Sequence, residues 1–528
     1  MKKLVAKIIL VCVLSLSFLA YLLPLQAQPA RAAEEVFKIA GEDYGYPSPY
    51  TFYPRGPGYC RMMLVFDTLV WKDKTGVVPW LGQNYKVSKD GKQWSFQLNP
   101  KAKWHDGKPV TAADVKFTFE YISKHPHAWF NRETGVIQKI ETKGNNQVIF
   151  YLKKPYAPFL TNVAGTIPII PKHIWEKVSD PLKYTDKKAV IGSGPFKLVK
   201  YDKASALYVF QANPNYFKGK VKVDQLIFLQ PGQPLMALHK GEIDAFAPNV
   251  DQAAVLRKNK SIKLVEGSGF WIYRLLFNLE QEPFNQVEFR QAVAHSLNLS
   301  QLVMRAMHGG ANPGSPGYVS PHLESWYNPN IARYPYNPNK AKQILDSLGY
   351  KDTNGDGIRQ MPNGQKLSFE MIAFNQGQEA EVVKSMLKAV GIEVKIRALD
   401  KGAHDSLIAN HKYQIALNGH GGIGGDPVFL NELVDNPKSK NHSNDMYKNP
   451  EYIKLANQQA NITDPAERKK VVYKMQSILA KEVPTIPLYY RQMYFAYKPG
   501  KVDGWFFTPG GIASGIPTEL NKVVFLEK

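Results

Sequence analysis

The chain has 528 residues, beyond the size at which one apolar core keeps growing, so two or more lobes are expected. Its formal net charge is +22, yet the Lys and Arg residues are scattered among acids, with no basic tract and no zinc-finger or RNA-binding signature. That argues against nucleic acid as partner. Only Cys12 and Cys60 occur, which excludes a disulfide framework and any zinc site built on several cysteines.

Residues 1–32 read as a secretory signal. Lys2, Lys3 and Lys7 supply the positive start, Ile8 to Leu23 form an apolar run of 16 residues, and Pro24 breaks it. Ala30-Arg31-Ala32 offers a small-x-small cleavage pattern before Ala33. The run is short for a membrane span, and Cys12 lies too early in it to be a lipoprotein acceptor. A cleaved, soluble, periplasmic product is expected; a retained N-terminal anchor is the competing reading.

Helical and extended patterns then alternate, as in a mixed α/β protein. Trp94, Phe96 and Leu98 alternate with polar residues, as do Val148, Phe150 and Leu152, and both sets predict half-buried strands. Thr111 with Asp114 resembles a capping box opening a helix that carries Val115, Phe119 and Ile122 on one face. Asn285 with Glu288 predicts the cap of a helix bearing Phe289, Val293 and Leu297. Asn337-Pro338 starts another, with Ala341, Ile344, Leu345 and Leu348, ended by Gly349. Val383, Met386, Leu387 and Val390 form the next stripe, stopped by Gly391, and Ile392, Val394 and Ile396 alternate after it. Asp464-Pro465 begins a long helix through Leu479, followed by the extended Ile486, Leu488 and Tyr490.

Few motifs point to chemistry. Gly419-His420-Gly421-Gly422-Ile423-Gly424 has the GxGxxG form after a predicted strand at Tyr413–Leu417. A dinucleotide site needs a helix to begin at the glycines, and Gly425, Asp426 and Pro427 delay any helix to about Val428. A glycine-rich turn where a ligand approaches the backbone is the better reading. His105-Asp106-Gly107 reads as a turn, and no catalytic set emerges, so no enzyme is expected. Asp352, Asn354, Asp356 and Gly357 reproduce the first half of a calcium loop, but Asn363 stands where the closing Glu belongs. A weak structural calcium site and a plain Asx-turn loop both remain open; no other cofactor is expected.

Longer stretches carry a family resemblance. Pro79-Trp80-Leu81, Lys89-Asp90-Gly91, Trp94 to Leu98 and Trp104 to Val115 resemble the peptide/nickel class of ABC-importer solute-binding proteins, family 5. Gly192-Ser193-Gly194-Pro195-Phe196, Asn213 to Phe217, Leu238 to Ala245, Phe277-Asn278 and Phe289 to Val293 follow in the same order. The resemblance implies a two-lobed periplasmic-binding-protein type II fold with an inserted subdomain. Lobe I would take 33–72, 190–272 and 490–528, with 73–189 inserted, and lobe II would take 273–489. Hinges would lie near Trp271–Arg274 and Tyr489–Tyr490. The implied function is capture of a peptide or peptide-sized solute by a monomer that delivers it to an ABC permease. A nickel or metal-chelate receptor, another organic-solute receptor, a sensor and a secreted enzyme are the alternatives.

The implied cleft would be lined by Tyr44, Arg55, Tyr59, Trp271, Tyr273, His420, Gly421, Gly422, Ile423, Asp426 and Tyr490. Arg55, among turn formers, would grip a carboxylate, with Tyr44 and Tyr59 as walls, or else the segment is a Pro/Gly-shaped surface loop. Dipeptide-binding relatives place an Asp before the Asp-Pro pair to hold the peptide ammonium, and here Ile423 stands in that place. His420 would ligate a metal, hydrogen-bond a ligand or serve as a structural histidine, whereas Val428 replaces the His found after Asp-Pro in some nickel-binding relatives. Asp426 is either a ligand contact or a helix cap.

Overall fold

The computed structural model describes residues 34–53, 56–127, 130, 134–375, 377–433 and 446–527, with His420 described by its backbone alone. The predicted secretory signal therefore lies outside the described residues. Among those described, no helix is long and apolar enough to cross a membrane.

Seventeen strands occur among the described residues. In chain order, β1 is Val36–Ala40, and β2 (Val70–Asp73) pairs with β3 (Gly76–Pro79) as a hairpin. Strands β4 (Gly82–Val87), β5 (Gln93–Leu98), β6 (Ile137–Lys143) and β7 (Gln147–Leu152) form a separate antiparallel sheet, ordered β4-β5-β7-β6. Then come β8 (Phe196–Asp202), β9 (Leu207–Ala212), β10 (Gln225–Leu229), β11 (Ala245–Phe246), β12 (Lys263–Phe277) and β13 (Ala311–Pro313). Last are β14 (Ser368–Phe374), β15 (Glu393–Leu399), β16 (Ile415–His420) and β17 (Thr485–Tyr497). The main sheet runs β15-β14-β16-β12-β17-β11-β1-β10-β9-β8, with β13 beside β17. It is mixed: β1 is parallel to β10 and β11, β14 is parallel to β15 and β16, and the other pairs are antiparallel.

Local chemistry explains most element ends. Thr111 caps the Ala112–Lys124 helix in a full capping box with Asp114. Asn337 and Asp464 accept from the backbone N–H groups of Lys340 and Glu467, and each precedes a proline at the first helical position. In β5, Trp94, Phe96 and Leu98 are buried, as period-two alternation requires. The predicted cap at Asn285 is displaced. Its N–H is bonded to the Gln281 carbonyl in the preceding turn, so the helix runs Val287–Ser296 with Gln286 at its start and no side-chain cap.

Apolar residues collect in separate clusters. The largest draws on Phe37 to Phe228 and on Phe495 to Leu526. A second gathers Leu275 to Tyr489, and a third joins Phe270, Ile272, Ile423 and Tyr490 to the Pro450–Gln459 and Pro465–Glu482 helices. Strands β12 and β17 run side by side through all three. One polar pin crosses the first cluster. The fully buried Asp67 carboxylate accepts from Trp80 Nε1 at 2.7 Å, Tyr216 Oη at 3.0 Å and Ser193 Oγ at 2.9 Å, and it pairs with Lys522.

Candidate cleft between β12, β16 and the C-terminal segment

The β12–β17 ladder breaks between Ser268↔Gln492 and Ile272↔Tyr490, and Gly269, Phe270 and Trp271 bulge out of register there. Phe270 takes a left-handed φ of 41°. A bulge re-aims side chains, and this one buries Phe270 while leaving Trp271 39% exposed. The Trp271 indole lies on the end of β16. A Cβ on Gly419 would come within 2.6 Å of its Nε1, and one on Gly421 within 2.9 Å of its Cε3. Phe270 occupies Gly424 in the same way, at 2.1 Å. The glycines at 419, 421 and 424 thus accommodate the chain's own aromatic rings, where the sequence predicted room for a ligand. Gly422 differs: it has a φ of 77° and nothing within 4 Å of a Cβ, so that face of the turn is open.

The glycine turn meets the C-terminal segment. A Cβ on Gly425 would lie 2.8 Å from the Ser514 carbonyl carbon, and one on Gly510 would lie 2.5 Å from the Gly424 oxygen. At another point Ala157 N–H donates to Ala460 O at 2.8 Å, at the end of the Pro450–Gln459 helix.

The predicted lining residues divide sharply. Trp271, Tyr273, Tyr44, Gly421 and Gly422 keep exposed or half-buried surface. Tyr273 stacks on Tyr489 at 5.3 Å, and Tyr489 Oη donates to Glu379 at 2.9 Å. Burial pushes both phenols above their ordinary value, so neither serves as a base near neutrality. Tyr59, Ile423 and Tyr490 are not walls. All three are fully buried, with Tyr59 Oη donating to Thr166 O at 2.6 Å and Tyr490 Oη to Tyr318 O at 3.1 Å. Asp426 is committed elsewhere: it forms a buried two-pronged pair with Arg468 and accepts Val428 N–H at 2.9 Å, capping the Pro427–Leu433 turn. Arg55 and the His420 side chain lie outside the described residues; the His420 backbone pairs with Ile272. In the calcium-like loop, Asp352 accepts from Gly355 and Gly357 N–H, and Asp356 from Ile358 N–H while pairing with Lys366. These are Asx-turn bonds.

Sequence reasoning passed over Lys72, Phe270 and Glu379, and named Tyr489 only as a hinge position. Lys72 follows the fully buried Trp71 in β2, so alternation sends it to the opposite face, beside Gly510 and the glycine turn. Burial brings its ammonium down to about 8, partly offset by Asp426.

Comparisons with known proteins agree with this architecture. Residues 76–441 match the family described as bacterial extracellular solute-binding proteins, family 5 Middle. The oligopeptide-binding protein AppA of Bacillus subtilis is 27% identical over 500 residues, which covers 91% of this chain and 90% of that protein. The solved structure of B. subtilis AppA in complex with a nonapeptide superposes with a TM-score of 0.72 at 25% identity, covering 92% of this chain and 98% of that one. NikZ from Campylobacter jejuni, solved with Ni(L-His), shares the fold with a TM-score of 0.75 at 24% identity, covering 94% and 100%. With the family match spanning more than half of its length, the chain belongs to the bacterial extracellular solute-binding proteins of family 5.

Proposed function

We propose that this protein captures a peptide or peptide-sized solute between two lobes and delivers it to the permease of an ATP-driven importer. The observation that carries this reading is the near full-length likeness to AppA, an oligopeptide-binding protein whose solved structure holds a nonapeptide. The geometry supports it: the exposed Trp271 and half-buried Tyr273 offer apolar surface, and the open Gly422 offers backbone at one end of the cleft.

The lobes are assigned as 33–72, 190–272 and 490–528 against 273–489, with 73–189 inserted in the first. Closure is the functional step, because a solute that touches both lobes stabilises the closed state by its differential affinity. The protein acts as a monomer and performs no catalysis. Its leader is cleaved before Ala33, and N-terminal sequencing of the exported protein checks that. Native mass spectrometry of the purified protein, followed by small-angle scattering with and without the released ligand, tests the main reading. A retained peptide and a smaller particle on binding are expected. Identical scattering profiles defeat the clamp, and a retained nickel chelate replaces the peptide.

A further inference from the structure

We propose that Lys72 is the anion receptor of the cleft and takes a carboxylate of the bound solute. This rests on the peptide reading above and specifies the end of the ligand that lobe I holds. Three observations converge on the residue. First, the position is interlobar: a Cβ on Gly510 would sit 3.4 Å from Lys72 Nζ and 2.5 Å from Gly424 O, so the ammonium reaches the glycine turn of the opposite lobe. Second, it has no partner: no described residue forms a hydrogen bond or ion pair with Nζ. Third, its natural counter-charge is spent, since both Asp426 oxygens are held by Arg468.

The hairpin fixes the aim of this side chain. Lys72 pairs with Val77 across β2–β3, and its carbonyl accepts Asn521 Nδ2 at 2.8 Å. The neighbouring Trp71 donates to the same Asn521 at 2.8 Å, which locks the strand face by face. A buried cation whose nearest carboxylate, Asp426, is already held by Arg468 favours an arriving anion. Closure then removes water from around the pair and strengthens it.

The charged group acting on Nζ is Asp426 from the opposite lobe, which Arg468 holds, and Asp73 follows on its own strand. Because the free ammonium titrates at about 8, a carboxylate that binds it must raise that value. Binding therefore takes up a proton above pH 8, and affinity is level below about pH 7 and falls as pH rises past 8.

The test uses random-sequence pentapeptides made as free acids and as C-terminal amides, with captured peptides identified by mass spectrometry. Enrichment of the free acids identifies the C-terminal carboxylate as the anion, and enrichment of amides that contain Asp or Glu identifies an acidic side chain. Calorimetry on the best captured peptide should show proton uptake at pH 8.5 in buffers of differing ionisation enthalpy. Lys72→Met should weaken it by about thirtyfold or more, abolish the uptake and erase the preference for the anion. Equal capture of all peptides without proton uptake overturns the assignment while leaving peptide binding intact. So does a Lys72→Met variant that weakens acids and neutral amides alike, because that marks Lys72 as a lobe-to-lobe latch. Capture of no peptide at all sinks the peptide reading, and this assignment with it.

Discussion

Replacing Asp67 by Asn tests whether the buried pin described above holds the first apolar cluster together. The substitution keeps the shape and one acceptor oxygen for Trp80, Tyr216 and Lys522, and it places an amide toward Ser193, whose hydroxyl can accept. What it removes is the charge. Lys522 is 1% exposed, sits 4.2 Å from the Trp71 ring centre, and is pulled down by burial against the upward pull of Asp67. Stranding that ammonium should cost about 3–5 kcal/mol, the range found when one member of a buried pair is lost. Urea denaturation followed by tryptophan fluorescence reads this directly, since Trp71 and Trp80 flank the pair. The double variant Asp67→Asn/Lys522→Met should recover about 2 kcal/mol or more relative to the sum of the single variants. A loss under about 1 kcal/mol for Asp67→Asn, or strictly additive single variants, would refute the reasoning.

Three further predictions concern closure, acid and calcium. Gly425→Ala places a Cβ 2.8 Å from the Ser514 backbone, so ligand affinity should fall by about tenfold from overpacking that exists only when the lobes meet; calorimetry with the co-purified ligand checks this, and unchanged affinity removes that contact from closure. Burial holds His105 at about 4, with Gly192 N–H donating to Nδ1 and Nε2 facing Gly194 O. Its folded value lies below its unfolded one, so stability is full above about pH 6.5 and declines as pH falls toward 4, and His105→Gln should flatten that decline in pH-dependent melting. Melting with millimolar calcium against chelator should show no shift, because the loop carboxylates at Asp352 and Asp356 already accept backbone N–H groups; a rise of several degrees would establish the ion site.

What could be read in the sequence was local. The caps at Thr111, Asn337 and Asp464 depend on residues three positions apart, and the alternation in β5 on neighbours two apart, so no tertiary information was needed. The cleft depends on residues far apart in the chain. Tyr59, Ile423 and Tyr490 carry side chains suited to a binding wall, but packing turns all three inward; the alternation of Tyr490 with Ile486 and Leu488 hints at its direction, whereas the neighbours of Tyr59 and Ile423 do not. The bulge at Gly269–Trp271 is invisible to period-two patterning because it is a break in register with β17, some 220 residues away. Lys72 looks like any lysine in a hairpin until residues 424–426 and 510 arrive beside it. The direction of the other cleft side chains came only from packing.

The place of β1 in the main sheet governs when this protein can fold. It lies between β10 and β11, which arrive roughly 190 and 205 residues later, and β11 pairs in turn with β17, some 250 residues later still. The Asp67–Lys522 pair adds a closure over 455 residues. A ribosome emitting this chain releases almost all of the first core before the segment that seals it exists. Loop closure on that scale carries a large entropic cost before any contact compensates, which slows folding and leaves apolar strands uncovered meanwhile. Truncation of even the last ten residues should therefore strip Phe525 from the first apolar cluster and leave Asp67 without Lys522.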